Sequence, residues 1–516
     1  MTETAKSESK SRARYLVRAS TMLFIVWIFA SFIGLFVRIF LTRSLSREDY
    51  GVFFATIAFF SIFSFRDLGF NQSMLKYLPE FNVRKEYDNM KSSIAICFFV
   101  TVIYSSIILL LVIIFSDQIA VGLFHSPKSS LILKLMGGWF FFDGCYYVAK
   151  FSLLGVQDID AFVLNDFLYS FLLLVFLLLF VTILPNLCGV ALGYFVGIGI
   201  VAIIVFAILL KRHSQIFATK IKLSRSLFKK LFSFAIPAQM SGFAAIVFVP
   251  LVTIFLTAFR TFSEVGLFQV ALPLASLLGN FHAFITPSLF PMISEMWARG
   301  EKSLIARTME IVLKFSLVIL TFVVLIFLVF PELVISLIFG PKYIGASSAL
   351  QILSVYVTIS NFTVLINCAV AGVGKPALVT LNLWITYPLI ALFALFLIPS
   401  FGIEGASFAF LVPTIWGFFL SLFFARRLFQ LRMSAKSIIK ILAGGAISLL
   451  IIWGLKIILD LPVFFETFLV LLLSLIFYSL WLLRLKAIER EDLLLLKKVV
   501  PVPKWVLQVF RKLTPP

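Results

Sequence analysis

Asp49-Tyr50-Gly51-Val52-Phe53 returns as Glu264-Val265-Gly266-Leu267-Phe268, about 215 residues later, with the acid, the central glycine and the phenylalanine kept in place. Glu80 meets Glu295 at the same shift. Leu123-Phe124 followed by Pro127-Lys128 is echoed by Phe339-Gly340-Pro341-Lys342, and Gly155-Val156 with Asn165 by Gly372-Val373 with Asn382. Each match alone is weak. In one order and at a nearly constant offset, they read as an internal duplication. Each copy holds enough apolar sequence for six helices, and an even number returns the chain to the side it started from. The two copies are therefore expected to be parallel, related by an axis along the membrane normal.

The composition says why a membrane enters the argument. Of 516 residues, 61% are hydrophobic and 13% charged, whereas soluble domains run near half and a quarter. Lys and Arg number 44 against 24 Asp and Glu, a net charge of +20. On a soluble chain that excess would suggest a nucleic-acid surface. Here too little polar surface exists to keep the chain in water, so no nucleic-acid partner is expected. Apolar runs give about 14 candidate spans at ~20 residues each. The first is at 21–41, too long for a signal peptide and read as retained. The second lies at 50–70, the eighth at 265–290, and the last at 464–484. The alternating ten-residue pattern of a barrel is missing.

The expected fold is thus all-α and polytopic, with two parallel six-helix repeats plus two C-terminal helices. Its parts are a cytoplasmic tail at 1–20, an N-terminal bundle at 21–211, a basic linker at 212–231, a C-terminal bundle at 232–426, added helices at 438–484 and a basic interfacial tail at 485–516. With the N-terminus inside, the inner segments are the N-tail, 71–92, 154–162, 211–231, 291–308, 371–376, 426–437 and the C-tail, and these with their flanks hold most of the Lys and Arg. The positive-inside rule then puts both termini in the cytoplasm of a cell (plasma) membrane protein. Pro237, Pro250, Pro273, Pro287, Pro388 and Pro413 fall in the spans of the second half and none in those of the first. Proline kinks helices, so spans 7 (232–258) and 8 are expected either to bend during transport or to hold a static kink that improves packing.

Charges inside spans face a cavity or a partner. Arg38 lies near the outer end of span 1, and Arg66 and Asp67 toward the inner end of span 2. Lys134, Asp143 and Lys150 lie in span 4, Asp166 starts span 5, Lys314 is in span 9 and Lys456 in span 13. Cations outnumber acids here, which suits an anionic cargo such as a phosphate or diphosphate. Snorkelling accounts for Lys134, Lys150, Asp166 and Lys456, which sit near span ends. Arg66 and Asp67 have a second reading as an interface ion pair. Gln239, Gln269, Asn280, His282, Asn361, Asn367 and Asn382 add polar groups that suit sugar hydroxyls, or glue helices together. The candidate cavity residues are Arg38, Arg66, Asp67, Asp143, Gln239, Gln269, Asn280 and His282.

Catalytic signals fail on inspection. Gly372-Val373-Gly374-Lys375-Pro376 has Ala369 and Pro376 where a phosphate loop needs Gly and Ser or Thr. Asp158-Ile159-Asp160 imitates a metal-binding pair but sits in a short loop, where helix capping explains it. Cys97, Cys145, Cys188 and Cys368 are isolated, and His125, His213 and His282 lie far apart, so no metal site is expected. The expectation is a protein that is not an enzyme and carries no cofactor.

The stretch from Arg43 to Phe53 (RSLSREDYGVF), then Asp67-Leu68-Gly69-Phe70, resembles the start of the polysaccharide-biosynthesis flippases. Phe339-Gly340-Pro341-Lys342-Tyr343, Ala371 to Pro376, and Gly402-Ile403-Glu404-Gly405-Ala406 resemble that family's second half. The family sits in the multidrug/oligosaccharidyl-lipid/polysaccharide transporter superfamily, and the resemblance covers residues 20–430. It implies a flippase that carries a polyprenyl-(di)phosphate-linked oligosaccharide from the inner to the outer leaflet by alternating access, with membrane lipids and a coupling cation as further partners. Relatives are thought to hold the diphosphate with cavity arginines, a role that Arg38 and Arg66 could fill. Two other readings stay open: a cation-coupled multidrug exporter of the same superfamily, and a membrane glycosyltransferase or ligase acting on the same lipid.

Overall fold

A computed structural model describes Met22, Ile25, Val26 and residues 28–431, 435–458 and 463–484. The two charged tails lie outside them. The described residues form helices and no strand. In order these are α1 (28–44), α2 (Arg47–Ile62), α3 (Phe70–Val83), α4 (Tyr87–Gly122), α5 (Ser129–Gly155), α6 (Ile159–Ile183), α7 (Leu187–Arg212), α8 (Ser214–Phe217) and α9 (Arg225–Phe259). Then come α10 (Phe262–Gly279), a 3-10 turn (Asn280–Phe284), α11 (Thr286–Ala298), α12 (Lys302–Val329), α13 (Pro331–Phe339), a second 3-10 segment (Pro341–Ala346), α14 (Ser347–Gly372), α15 (Pro376–Phe429), α16 (Ala435–Ile458) and α17 (Val463–Arg484). Eight helical segments among the described residues are long and apolar enough to cross a membrane. α4 and α6 bury little of their apolar surface within the protein, as lipid-facing helices do.

Helix starts recur as the motifs do. α2 and α10, α4 and α12, and α6 and α15 each begin about 215 residues apart. Both copies also break at the same place. The expected single spans at 50–70 and 265–290 are each two helices, interrupted at 63–69 in the first copy and by the 3-10 turn in the second. Hydropathy continues through both interruptions, so the pattern that locates a span does not register them.

α15 is two helices joined at Gly402, whose φ of 54° leaves the helical region. Asn382 Nδ2 donates to Gly417 O at 3.0 Å and to Ser421 Oγ at 2.6 Å. Gly405 lies against the carbonyl of Leu397. These pairings close symmetrically about Gly402, so the two arms run antiparallel and correspond to the eleventh and twelfth candidate spans, which hydropathy places at 377–398 and 405–425.

The chain divides into two compact units, the first ending at Gly266 and the second beginning at Leu267. The first unit is built on α5, which packs against α2, α3, α4, α6 and α7. α9, which the repeat assigns to the second half, packs on α2 and α3 within this unit. Ser73 Oγ ties α3 to α9 by donating to Leu231 O at 2.7 Å. The opening motif explains its own glycine here. A Cβ on Gly51 would overlap the Phe262 carbonyl and stand 3.1 Å from Gly266 N, while one on Gly266 would press on the Arg47 carbonyl. The two equivalent glycines let α2 and the first turn of α10 meet backbone to backbone.

In the second unit, α11, α12, α14 and α15 share one apolar core with residues from α16 and α17. Tyr478 of α17 donates to Val318 O of α12 at 3.2 Å, and Trp481 Nε1 to Lys440 O of α16 at 3.0 Å.

Candidate functional site

The interruption between α2 and α3 creates the site. Leu68 (φ 49°) and Gly69 (φ 83°) adopt left-handed backbone that stops a helix. Gly69 meets two demands at once, because a Cβ there would also overlap the Ala235 carbonyl and sit 3.0 Å from Gln239 Cβ. α9 can therefore approach, and it carries Gln239 with it. Asp67 Oδ2 accepts the Asn71 amide at 3.0 Å, satisfying a donor that the break leaves open. Non-helical backbone at membrane depth is tolerated only where it is buried in protein or lines a cavity.

Here it lines one of about 490 Å³, within the range of roughly 300–1,000 Å³ common for small-molecule sites. Ser64, Arg66 and Asp67 come from the break. Asn71 and Gln72 come from α3, Trp139, Phe140, Asp143 and Tyr147 from α5, Tyr169 from α6, and Gln239 and Gly242 from α9. All belong to the first unit. Arg66 Nη2 donates to Asp143 Oδ2 at 2.5 Å, and both side chains are under one-tenth exposed. The guanidinium carbon also lies 4.8 Å from the ring centre of Phe140 and 5.5 Å from that of Tyr147. The one cation among the described lining residues is thus paired with an acid and covered by rings.

Four of the eight candidate residues meet in this cavity: Arg66, Asp67, Asp143 and Gln239. Arg38 is not among its lining residues and stacks over Phe54 at 4.4 Å. Gln269, Asn280 and His282 belong to the second unit. Gln269 is buried there. The His282 amide donates to Asn361 Oδ1 at 3.1 Å, and Asn361 Nδ2 donates to the carbonyls of Leu278 and Val357. Asn361 thereby satisfies the second interruption, as Asp67 does the first. Asn382, Ser421 and Asn367 form a buried chain between α14 and α15, with Ser421 donating to Asn367 Oδ1 at 2.8 Å. That is the helix-joining role.

Other expectations change or gain detail. Arg66 pairs with Asp143 rather than with its neighbour Asp67, because the turn at 63–69 sends the two side chains to different partners. Lys150 and Asp166 do not merely snorkel. They pair at 2.5 Å between α5 and α6, one turn along α5 from Tyr147. The surplus of intramembrane cations is not found in the cavity, whose described lining has one arginine and two aspartates. Asp158 caps α6, accepting from the Ala161 amide at 3.1 Å. Among the described residues no group of three His, Cys, Asp or Glu gathers as a metal would require.

Sequence reading missed Gln72, Trp139, Phe140, Tyr147 and Tyr169. Aromatic residues in an apolar run carry no mark of their own. The available signal was spacing: residues 139, 143 and 147 share one helical face with the buried acid at its centre.

The chain matches the polysaccharide biosynthesis protein family over residues 16–297. It is 29% identical over 454 residues to "Uncharacterized membrane protein MJ1068" of Methanocaldococcus jannaschii, covering 83% of this chain and 87% of that one. Its fold is similar to that of lipid II flippase MurJ in an inward closed conformation, with a TM-score of 0.70, 14% identity, and coverage of 90% of this chain and 99% of that one. It is also similar to an inward-facing multidrug resistance MATE family transporter of the MOP superfamily, with a TM-score of 0.64, 14% identity, and coverage of 79% and 97%. These structural likenesses establish the fold.

Proposed function

The chain belongs to the polysaccharide biosynthesis protein family, and from that premise we propose that it is a flippase. Its cargo is a polyprenyl-(di)phosphate-linked oligosaccharide, moved from the inner to the outer leaflet of the cell membrane by alternating access. One observation carries the reading: a cavity with amides, carboxylates and aromatic rings, built where a membrane helix is interrupted inside an otherwise apolar bundle. Such a cavity gives a polar head group a place within a hydrocarbon-facing protein, while the lipid tail stays in the bilayer. The duplicated helix order supports a rocking motion of one half against the other. The loop charges support cytoplasmic termini, so cargo would load from the face where lipid-linked sugars are assembled.

A second reading has one observation in its favour. Two carboxylates against one arginine in the cavity suit a cationic cargo or coupling ion better than the bulk composition does, and so keep a cation-coupled exporter in view. Asp143 is already paired with Arg66, which weakens that reading.

The deciding experiment uses proteoliposomes loaded with labelled lipid-linked oligosaccharide and a membrane-impermeant glycan-cleaving reagent. The flippase reading expects protein-dependent exposure of the glycan pool sealed in the far leaflet. Dye efflux on a Na⁺ or H⁺ gradient without glycan movement would replace it with the exporter. Transfer of the glycan to an acceptor would replace it with the ligase.

A further inference from the structure

We infer that the first-unit cavity holds the glycan of the cargo and not its diphosphate. The inference rests on the flippase reading and goes a step further, by assigning a chemical class to this one site.

Diphosphate recognition calls for cations with free donors, above all an arginine whose planar fork is open to a bidentate bite. Arg66 is not such an unmatched cation, because its charge already has a carboxylate partner. Its Nη2 is committed to Asp143 at 2.5 Å, and the rings of Phe140 and Tyr147 lie within 6 Å of its carbon. Formal charge points the same way. Counted as ionised, the described charged lining residues Arg66, Asp67 and Asp143 give a formal charge of −1, with no cation in excess. A multiply charged anion brought into such a site, away from bulk water, meets repulsion that the low dielectric strengthens.

The same lining suits a neutral polyhydroxylated ligand. Sugar hydroxyls both donate and accept, so they need acceptors and donors side by side. Asp67 supplies carboxylate oxygens, and Gln72 and Gln239 supply amides from two different helices. Trp139 Nε1 is a buried donor without a hydrogen-bond partner, a state that a bound acceptor would relieve. Aromatic faces give the apolar C–H faces of a pyranose a surface to lie on. The amides of Gln72 and Gln239 come from α3 and α9, and the rings of Trp139, Phe140, Tyr147 and Tyr169 from α5 and α6, so a ligand with apolar and polar faces meets both kinds of group.

The test places a reporter on each of two lining segments. Ser64→Cys lies in the break, and Gly242→Cys on α9, where nothing stands within 4 Å of the new Cβ; either variant alone serves if the other folds poorly. Alkylation by neutral N-ethylmaleimide is followed peptide by peptide by mass spectrometry, so native cysteines need no replacement. Three probes are compared in proteoliposomes: lipid-linked glycan extracted from the native membranes, bare polyprenyl diphosphate of matched chain length, and inorganic pyrophosphate. The glycan-bearing lipid is expected to slow labelling about fivefold at a concentration some four times its dissociation constant, with the two sugar-free probes leaving the rate unchanged. Trp139→Phe and Gln239→Ala should reduce that protection. Equal protection by bare polyprenyl diphosphate or by pyrophosphate would overturn the inference. Flipping measured in the same vesicles, with no protection by any probe, would also overturn it while leaving the transport reading intact. Absence of flipping would remove the transport reading, and the inference with it.

Discussion

Arg66 and Asp143 are joined by one hydrogen-bonded ion pair across 77 residues of sequence, with both side chains buried. Removing one partner of such a pair leaves an uncompensated charge, at a cost of ~3–5 kcal/mol, whereas replacing both is far milder. Arg66→Gln and Asp143→Asn are each expected to destabilise the protein by that order. The double variant should recover most of the loss. Thermal unfolding of the purified protein in detergent checks this. A double variant no more stable than either single one would show that the pair does not couple.

Gly51 and Gly266 make a second pairing, this one set by shape. A Cβ on Gly51 has no room beside the Phe262 carbonyl, which belongs to backbone and cannot turn aside. Gly51→Ala should force α2 and the first turn of α10 apart and lower folded yield sharply, by the ~1–3 kcal/mol of an overpacked contact or more. Gly122→Ala, with nothing within 4 Å, is the matched control and should behave as the native protein. Size-exclusion profiles of the two variants, expressed side by side, decide the matter.

These two pairs mark what was legible beforehand. The motif around Gly51 and its echo were visible in the sequence, and with them the two-copy plan, because a duplication leaves matches at a constant offset. Hydropathy also placed the turn between the arms of α15, since Pro399 to Gly402 interrupts the apolar run. The helix breaks were not legible. Phe63, Phe65, Leu68 and Phe70 keep the run apolar, while the interruption lies in the dihedral angles of Leu68 and Gly69. The partner of Arg66 was hidden for a related reason: Asp143 becomes its neighbour only once α2 ends early. Total charge misled in one respect. It sums over all spans, whereas a cargo meets only the residues that share a cavity, and there the balance reverses.

Asn361 tests whether the second interruption depends on its cap. Its side chain accepts from the His282 amide and donates to the Leu278 and Val357 carbonyls. Asn361→Leu leaves buried backbone groups unpaired, at ~1–3 kcal/mol each. Asn361→Asp keeps the acceptor for His282 and loses the donor, so its loss of stability should be smaller if the amide contact dominates. Unfolding midpoints of the three proteins give the ranking. Leucine and aspartate variants that both match the native protein would mean that water serves these groups equally well.

The segment between α7 and α9 is held to the first unit at several points. Lys91 Nζ donates to the carbonyls of Phe217 and Thr219, each at 2.6 Å. The Lys222 amide donates to Ser92 Oγ at 2.8 Å, and its ammonium pairs with Asp88 at 2.5 Å. Upstream, Asp158 holds both Arg212 and His213. Exposed ion pairs alone contribute little, so the carbonyl contacts of Lys91 should carry most of the restraint. Lys91→Met is therefore expected to raise trypsin cleavage after Lys220 and Lys222 about tenfold, the signature of a locally opened segment, while Asp88→Asn raises it much less. Timed proteolysis with mass mapping of the fragments measures both. Equal sensitivity of the two variants would assign the restraint to the charge pair, and unchanged cleavage in Lys91→Met would show that the apolar seat of Ile216, which is buried against α4 and α9 residues, is sufficient by itself.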